Sequence, residues 1–407
     1  MDIEFVRKQF PALQKDFTFM DNAGGSQVLG NVIDRISAYM VHYNVQLGAS
    51  YKISAEAGEK IQYATSKIAE FINARESREV VIGPSTTMLL RILSLSISKN
   101  WEAGDEVIVT NTDHEANVSP WTDLQEKGIT VHIWKVNPET LQLEIDDLKK
   151  LMNSRTKLVA VTHTSNVLGS INPLRDIAKA VHEAGALICA DGVAYAPHRK
   201  VNVQELDVDF YTFSWYKTYG PHLAMMYGKY EHLLELESLN HYFIGKEDIP
   251  YKLQPGNLNF ELTYSTLGIF EYYEDLYRQH FSEKEKDRGS RMQKVFDLIA
   301  SQEEKLATLL LNYLNEIPEI RIIGETNPHS SKRVPTISFV HSKLKSNDIV
   351  ERVDPHRIGI RFGDFYAKKL IQDLELQEKN GVVRVSLVHY NTKEEVNRLI
   401  KVFRSIF

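Results

Sequence analysis

Short apolar runs alternate with amphipathic helical stretches through the first two-thirds of the chain, and this alternation narrows the choice of fold more than any other pattern. Runs such as LVAV and ALICA are apolar throughout, which is typical of strands buried on both faces. Between the runs, Leu174, Ile177, Ala178 and Val181 recur at the spacing of one helix face. Strands that alternate with helices in this way predict βαβ units, a mostly parallel sheet and an α/β fold.

The strands of this first sheet are predicted at 80–82, 106–110, 131–136, 157–163, 186–190, 210–214 and 224–227.

The pattern changes after about residue 262, which predicts a second structural unit. Farther along, we expect a long helical stretch over 263–315, strands at 336–340 and 382–387, and helices at 347–353 and from Lys393 onward. Helices followed by strands and a final helix predict a smaller α+β domain.

The charge balance and the single cysteine exclude several classes of protein. With 48 Lys and Arg against 54 Asp and Glu, the 407-residue chain has a formal net charge of −6, so we expect no nucleic-acid and no membrane partner. One cysteine excludes an intrachain disulfide and a multi-cysteine metal site, and no metal is predicted. Asp2 and Glu4 stand where a secretory signal carries basic and then apolar residues. We therefore expect a cytoplasmic protein.

Two residues with complementary chemistry follow neighbouring strand candidates. Asp191 ends the strand in ALICAD, and Lys217 follows the strand in DFYTFS. Ligands of open α/β sheets bind beyond the carboxyl ends of strands, so both side chains are expected near one crevice. A lysine and an acid so placed can bind pyridoxal phosphate, the lysine through a Schiff base and the acid through the pyridine nitrogen. A structural ion pair at the sheet edge, or two unrelated surface charges, would also account for them.

Three further segments suit the same cofactor. GPSTT follows a strand and begins a helix, so Ser85, Thr86 and Thr87 can offer hydroxyl and N–H groups to a phosphate, or simply cap the helix. His114 follows the strand in EVIVTNT, where an imidazole can stack on a planar ring or serve as an ordinary structural histidine. Asn166, in THTSNVLG, follows a third strand and can donate to a phenolate oxygen.

Seven ordered segments together resemble the class V aminotransferase fold of pyridoxal-phosphate (PLP) enzymes, in the cysteine desulfurase superfamily. They are FMDNAGGS, GPSTT, DHEANVSPW, THTSNVLGSINP, DGVAYAPH, SWYKTYGP and VVRVSLVHYNTKEEV. Their order and spacing are far more specific than any single segment. The resemblance implies the PLP-dependent transferase fold of type I, with a large domain on a mostly parallel seven-stranded sheet and a smaller α+β C-terminal domain. The implied boundaries are an N-terminal segment 1–16 that packs with the small domain, a large PLP-binding domain 17–262 and a small domain 263–407.

The resemblance also implies roles for the residues that match the family pattern. Lys217 would carry the cofactor as the Schiff base and later move the proton, Asp191 would pair with the pyridinium nitrogen, and His114 would stack on the ring. Asn166 would lie near the cofactor phenolate and the substrate. The residues implied around the phosphate are Ser85, Thr86, Thr87, Ser214 and Tyr216, of which Tyr216 stands where many relatives carry histidine.

Substrate and assembly roles follow from the same resemblance. Arg384, in VVRVSL, matches the arginine that binds the substrate α-carboxylate, and its guanidinium offers the planar fork that a carboxylate needs. Gly24 matches a backbone loop near that carboxylate, and Tyr366 lies on a loop implied to contact the substrate. Asn257, in PGNLN, falls where relatives reach across a homodimer interface toward the phosphate. The resemblance thus implies a homodimer that binds PLP and an amino acid.

The chain departs from persulfide-forming desulfurases at two positions. In the stretch RFGDFYA, Tyr366 occupies the position of the desulfurase cysteine, and a phenol carries no persulfide. The only thiol, Cys189, lies inside the strand before Asp191, where a cysteine usually packs as a small apolar residue. Ala194 stands where many desulfurases have a glutamine that reaches the phenolate. Together these departures argue against ordinary sulfur donation.

We therefore predict a PLP-dependent enzyme that acts on an amino acid through an external aldimine. The reaction we favour is β-elimination by a cysteine desulfurase-like C–S lyase without a persulfide cysteine. A class V aminotransferase or an amino-acid epimerase is the alternative, because those reactions also need no cysteine. A non-catalytic PLP-binding protein is a further alternative, although Lys217, Asp191 and His114 are all retained. The fold supports each of these activities and does not choose among them.

Overall fold

The computed structural model of the chain describes residues 1–282, 285 and 287–407. Its strands are β1 (Thr18–Phe19), β2 (Val80–Gly83), β3 (Glu106–Thr110), β4 (Thr130–Trp134), β5 (Thr156–Thr162), β6 (Leu187–Asp191), β7 (Phe210–Ser214), β8 (Ala224–Gly228), β9 (Ile320–Ile322), β10 (Thr336–His341), β11 (Ile358–Gly359), β12 (Arg361–Gly363) and β13 (Val382–Ser386). Its α-helices are α1 (Ile3–Lys8), α2 (Gly30–His42), α3 (Lys52–Phe71), α4 (Thr86–Ile97), α5 (Ser119–Thr122), α6 (Ile145–Leu151), α7 (Leu174–Glu183), α8 (Val203–Leu206), α9 (Tyr230–Glu235), α10 (Phe260–Ser265), α11 (Leu267–His280), α12 (Arg288–Asn315), α13 (Ser346–Val353), α14 (Lys368–Asp373) and α15 (Lys393–Phe403).

The central sheet confirms the predicted α/β class. Within the described residues it has seven strands in the order β2-β8-β7-β6-β5-β3-β4. The neighbours from β7 to β4 all pair in parallel, and β8 runs antiparallel to both β7 and β2. Strand β6 is buried along nearly its whole length, as its apolar sequence predicts, and β7 is buried throughout. The carboxyl ends of β3, β5, β6 and β7 therefore meet at one edge of the sheet.

Helix α7 illustrates how the local sequence builds the layer that covers this sheet. It buries Leu174, Ile177, Ala178 and Val181, the four residues that share one face in the sequence pattern. The chain leaves the helix through Gly185, whose φ of +78° suits a residue without Cβ.

The C-terminal part forms a second, antiparallel sheet in the order β12-β13-β10-β9. The predicted helical stretch over 263–315 consists of three helices, α10, α11 and α12. Asp287 begins α12 as an N-cap, since its carboxylate accepts from the backbone N–H of Ser290 at 2.7 Å. Residues 283, 284 and 286 of that predicted stretch lie outside the described residues.

The N-terminal residues pack against the C-terminal part of the chain. Strand β1 pairs in parallel with β11, and Arg7 forms an ion pair with Glu395 of α15 at 2.9 Å. The rings of Phe10 and Tyr390 meet edge to face, with 4.8 Å between their centroids. The division at residues 16 and 262 stays a prediction. No helix within 1–282, 285 and 287–407 is long and apolar enough to cross a membrane.

Candidate active site

A cavity lies at the carboxyl ends of the central strands and beside the first turn of α4. The residues that line it are Ser85, Thr86, Thr87, His114, Ala116, Thr162, Thr164, Asn166, Asp191, Val193, Ala194, Ser214, Tyr216 and Lys217. The structure thus brings together nine of the predicted site residues, together with Ala194.

Lys217 lies on the turn that follows β7 and is almost entirely buried. The turn is held by the segment around Ser26, whose N–H donates to the carbonyl of Tyr216 at 3.2 Å and whose Oγ accepts from the N–H of Tyr219 at 2.9 Å. Burial and the nearby Arg384 charge lower the pKa of Lys217 to about 8, although Asp191 acts in the opposite direction. A minority of the amine is therefore neutral near pH 7, far more than for an ordinary lysine.

Asp191 is the last residue of β6 and lines the cavity. Its Oδ1 accepts from the N–H of Val193 at 2.8 Å. Burial raises the pKa of Asp191 to about 6, against the lowering effect of that N–H and of Lys217. A second buried acid, Asp113, has its pKa raised to about 7, chiefly by burial. Sequence reasoning missed Asp113, although it directly precedes His114 at the end of a strand.

His114 is held in one tautomer by the backbone. Its Nδ1 accepts from the N–H of Ala116 at 3.0 Å, so the neutral ring carries its proton on Nε2. Burial, Lys217 and Arg384 lower the pKa of His114 to about 4. The imidazole is therefore neutral at physiological pH, which suits a ring that stacks on a planar group. The ring of Tyr366 lies next to that of His114, with 5.1 Å between the ring centroids.

The first turn of α4 presents hydroxyl and backbone donors to the cavity. Ser85 is the N-cap residue, and its Oγ accepts from the N–H of Met88 at 3.2 Å. The hydroxyls of Thr86 and Ser214 are hydrogen-bonded to each other at 2.8 Å. The N–H groups and the dipole of a 12-residue helix favour an anion at this point.

Arg384 is buried beside the cavity, with 2% of its surface exposed. Its Nη1 donates to the carbonyl of Asn166 at 3.1 Å, and its Nη2 donates to Oδ1 of Asp21 at 2.8 Å. The ring of Phe365 covers the guanidinium, with 3.7 Å from the ring centroid to Cζ. Within the described part of the chain, Nε has no hydrogen-bond partner. Sequence reasoning missed Asp21 and the contact of Phe365 with Arg384, because only the folded chain brings them to Arg384.

The loop with Phe365 and Tyr366 closes one side of the site. Both residues have left-handed backbone, with φ of +53° and +60°. The Nδ2 of Asn166 donates to the carbonyl of Phe365 at 2.9 Å, and the N–H of Glu115 donates to the carbonyl of Tyr366 at 2.7 Å. The donor of Asn166 is thus engaged by this loop, while its buried Oδ1 finds no partner among the described residues.

Two predicted residues lie outside the cavity lining. Gly24 is in the turn next to Asp21, and a Cβ at this position would lie 2.9 Å from Oδ2 of that carboxylate. Asn257 lies in an exposed loop before α10 and is not among the described residues that line the cavity. Cys189 is enclosed in β6 with 1% of its surface exposed, and burial and Asp191 raise the pKa of its thiol well above the usual range.

A wider groove elsewhere carries no comparable chemistry. It lies between α2, α3, α11 and α12 and is rich in charged side chains. Those charges largely pair with one another, as Arg35 does with Glu271 and Arg288 with Glu70. The cavity beside Lys217 is therefore the candidate active site.

The residues present in that cavity fit pyridoxal phosphate. An aldehyde would meet the Lys217 amine, and a ring nitrogen would meet Asp191. The unpartnered Oδ1 of Asn166 and Oγ1 of Thr164 are buried polar atoms in the cavity wall, and such atoms normally find a partner. The first turn of α4, with Thr86, would hold the phosphate. The site thus offers groups for the aldehyde, the ring nitrogen and the phosphate of the cofactor.

Comparison with known proteins agrees with this chemistry. The sequence profile of the family described as Aminotransferase class-V matches residues 18–288 and 290–399. The chain is 43% identical to the Aminotransferase-like protein FGM3 of Gibberella zeae, over 98% of this chain and 96% of that protein. It is 37% identical to the Cysteine desulfurase-like protein ustD of Aspergillus flavus, over 97% of this chain and 88% of that protein. The apo cysteine desulfurase structure from Thermococcus onnurineus is similar with a TM-score of 0.88 and 25% identity, over 99% of this chain and 97% of that one.

Proposed function

The chain belongs to the class-V aminotransferase family, and from this premise we propose that it is a C–S lyase that removes a sulfur group from Cβ of an amino acid. The family depends on pyridoxal phosphate, so the chain is a PLP-dependent enzyme. The observation that carries the proposal is the grouping of Lys217, Asp191 and Arg384 about one cavity, with Cys189 enclosed in a strand. β-Elimination needs the first three and no thiol.

Arg384 holds the substrate α-carboxylate in this proposal. Its fork is rigid and buried, and its Nε is unpartnered within the described residues. A carboxylate that accepts charge-assisted hydrogen bonds from this fork fixes the amino acid by one end. The amine and Cα are then turned toward Lys217.

Lys217 moves the proton. When bound, the cofactor supplies an electron sink for the electron pair left at Cα. The lowered pKa of Lys217 leaves part of the amine neutral, and the neutral Nζ takes the α-proton. Asp191 holds a proton at the ring nitrogen, and the neutral imidazole of His114 excludes water from the ring face. Loss of the sulfur group as a thiol, and hydrolysis of the released enamine, give pyruvate and ammonia.

We further propose that no persulfide forms on the protein. A thiolate nucleophile needs exposure and a positive environment. Cys189 has neither, because it is buried in β6 and its pKa is raised by burial and by Asp191, Asp113 and Asp209. Tyr366, at the position of the desulfurase cysteine, has no thiol to offer.

The experiment is a product analysis with a panel of amino acids that includes L-cysteine. Pyruvate, alanine, sulfide and keto acids are measured together for the wild type, Cys189→Ala and Lys217→Ala. We expect pyruvate and sulfide in equal amounts, with most activity kept in Cys189→Ala and lost in Lys217→Ala. Stoichiometric alanine with sulfane sulfur on Cys189 would overturn the proposal. Keto acid or racemised substrate without sulfide would instead support the aminotransferase or epimerase alternative.

A homodimer is part of the proposal. The loop before α10 exposes large apolar side chains, with Tyr242 99% and Phe243 67% exposed. Helix α4, beside the cavity, also exposes Met88 and Leu95. Exposed apolar groups of this size are typical of interaction surfaces. We expect an interface above about 2,000 Å² in total, checked by analytical ultracentrifugation at micromolar concentration. The cytoplasmic location stays a prediction.

A further inference from the structure

The carboxylate of Asp21 contacts two arginines that lie side by side on neighbouring strands of the C-terminal sheet. Arg361 of β12 and Arg384 of β13 are directly paired in the strand register. Oδ1 of Asp21 is 2.8 Å from Nη2 of Arg384, and Oδ2 of the same carboxylate is 3.9 Å from Nη1 of Arg361. Like charges directly opposite on neighbouring strands repel each other. Asp21 offsets this repulsion by contacting both.

The two arginines that contact Asp21 differ greatly in solvent exposure. The Arg384 side chain is 2% exposed, whereas that of Arg361 is 57% exposed and that of Asp21 is 30% exposed. A buried guanidinium needs a counter-ion, because burial without one is costly. An exposed guanidinium is solvated whether or not it is paired. Asp21 is therefore bound firmly to Arg384 and only loosely to Arg361.

The backbone of Asp21 is held in place, and Gly24 adds no Cβ beside its carboxylate. The N–H of Ser386 donates to the carbonyl of Met20 at 2.7 Å, and the N–H of Asn22 donates to the carbonyl of Ser386 at 3.3 Å. These bonds fix the chain on either side of Asp21. The space beside Oδ2 is left open by Gly24, where a Cβ would approach to 2.9 Å.

A substrate carboxylate that binds Arg384 would compete with Asp21 for the same edge of the guanidinium. Phe365 covers the guanidinium at 3.7 Å, and Nη1 is already engaged by the carbonyl of Asn166. The guanidinium edge that remains for a substrate carboxylate is formed by the unpartnered Nε and the adjoining Nη2. Nη2 is the atom that donates to Asp21. Two carboxylates on this edge would repel each other in a buried setting.

We propose that Asp21 is an exchangeable counter-ion, which releases Arg384 to the substrate carboxylate by turning toward Arg361. The proposal deepens the proposed function, since it rests on Arg384 as the carboxylate site. The charges balance only in the bound site, where each arginine pairs with one carboxylate; the free site holds the single carboxylate of Asp21 against two arginines and so favours a second anion. Asp21 and Arg361 are then positioning residues that tune substrate affinity without touching the substrate.

The test is a double-mutant cycle on the PLP-loaded enzyme with propionate as the probe. Propionate has the carboxylate but no amine, so it cannot react at the cofactor. Its dissociation constant is measured by saturation-transfer NMR at fixed ionic strength for the wild type, Arg361→Gln, Asp21→Asn and the double variant. We expect Arg361→Gln to weaken binding about tenfold and Arg361→Lys to restore most of it. In the Asp21→Asn background, Arg361→Gln is expected to have no effect.

The controls separate this proposal from simpler explanations. Arg357, with 59% of its side chain exposed and paired with Asp16, is the matched control, and Arg357→Gln is expected to bind propionate as the wild type does. An equal effect of Arg361→Gln in both backgrounds would mean that Arg361 contacts the carboxylate itself, which overturns the exchange. Binding that survives Arg384→Gln would overturn the carboxylate site and the exchange together. The test does not involve sulfur release, so failure of the lyase reaction would leave its result intact.

Discussion

The ring of Phe365 covers the guanidinium of Arg384, with 3.7 Å between the ring centroid and Cζ. Contact with a ring face stabilises a guanidinium, and the effect is larger where water is excluded. Arg384 is buried and carries one ion pair, so the ring contributes both to its stability and to the orientation of its fork. This contact links the loop of Tyr366 to the proposed carboxylate site.

Replacing Phe365 by leucine is expected to weaken amino-acid binding by about 1–2 kcal/mol, because the guanidinium loses its aromatic cover. Cofactor content should not change. The measurement is the amino-acid dissociation constant from the change in cofactor absorbance. Phe362→Leu, on the neighbouring strand and partly exposed, is the control that should keep wild-type affinity. Equal effects of the two variants would contradict the role given to Phe365.

Removing the guanidinium in Arg384→Ala should weaken the binding of an amino acid by about 2–5 kcal/mol and raise its KM accordingly. The PLP content should stay normal. The carboxylate then loses its charge-assisted partner. Arg384→Lys should restore only part of the affinity, since an ammonium lacks the planar fork. Steady-state kinetics and cofactor absorbance check both variants. An unchanged KM in Arg384→Ala would show that another residue binds the carboxylate.

Covalent uptake of PLP by the cofactor-free enzyme should accelerate as the pH rises, with a midpoint near 8. The neutral amine of Lys217 is the nucleophile, and burial and Arg384 lower its pKa to about 8, so the reactive form increases above that pH. The rate is followed by the absorbance of the protein-linked cofactor. Lys217→Ala should bind PLP without a borohydride-reducible link, whereas the surface variant Lys246→Ala should behave as the wild type. A midpoint near that of an ordinary lysine would refute the prediction.

Asp209→Asn should lower the free energy of unfolding at pH 7 by about 3–5 kcal/mol, because it breaks a buried charge cluster. Burial raises the pKa of Asp209, but hydrogen bonds from His182, His232 and Lys229 outweigh it and hold the pKa well below its usual range. A depressed carboxylate pKa contributes stability above the unfolded-state pKa of about 4, and this stability is lost as the pH falls toward the folded-state pKa.

The wild type should therefore lose more stability than Asp209→Asn on acidification below about pH 4. Urea unfolding at several pH values measures the difference. Asp207→Asn is the matched control, since the Asp207 side chain is 60% exposed and also contacts Lys229, and we expect it to change stability by less than about 1 kcal/mol. Similar losses in both variants would argue against the buried cluster as the cause.

Features set by local pattern could be read from the sequence. The strand at 210–214 has the predicted bounds, and α7 buries the four predicted residues. Asp191 and Lys217 follow strands that are neighbours in the sheet, so a general rule about strand ends was enough to bring them together. Hydrophobic periodicity and the position of a residue at a strand end depend on neighbouring residues along the chain, which is why they can be recognised in the sequence.

Only the tertiary structure decided the surroundings of Arg384. Its partner Asp21 is 363 residues away along the chain, and Asn166, which supplies the accepting carbonyl, is 218 residues away. These contacts depend on how β13 packs against the N-terminal segment and the end of β5, and no local pattern encodes that packing. The sequence by itself determined which residues are candidates for the chemistry, because residue type and strand ends are local properties. The fold decided which of their groups are paired, buried or open, because pairing and burial depend on segments that meet only in three dimensions.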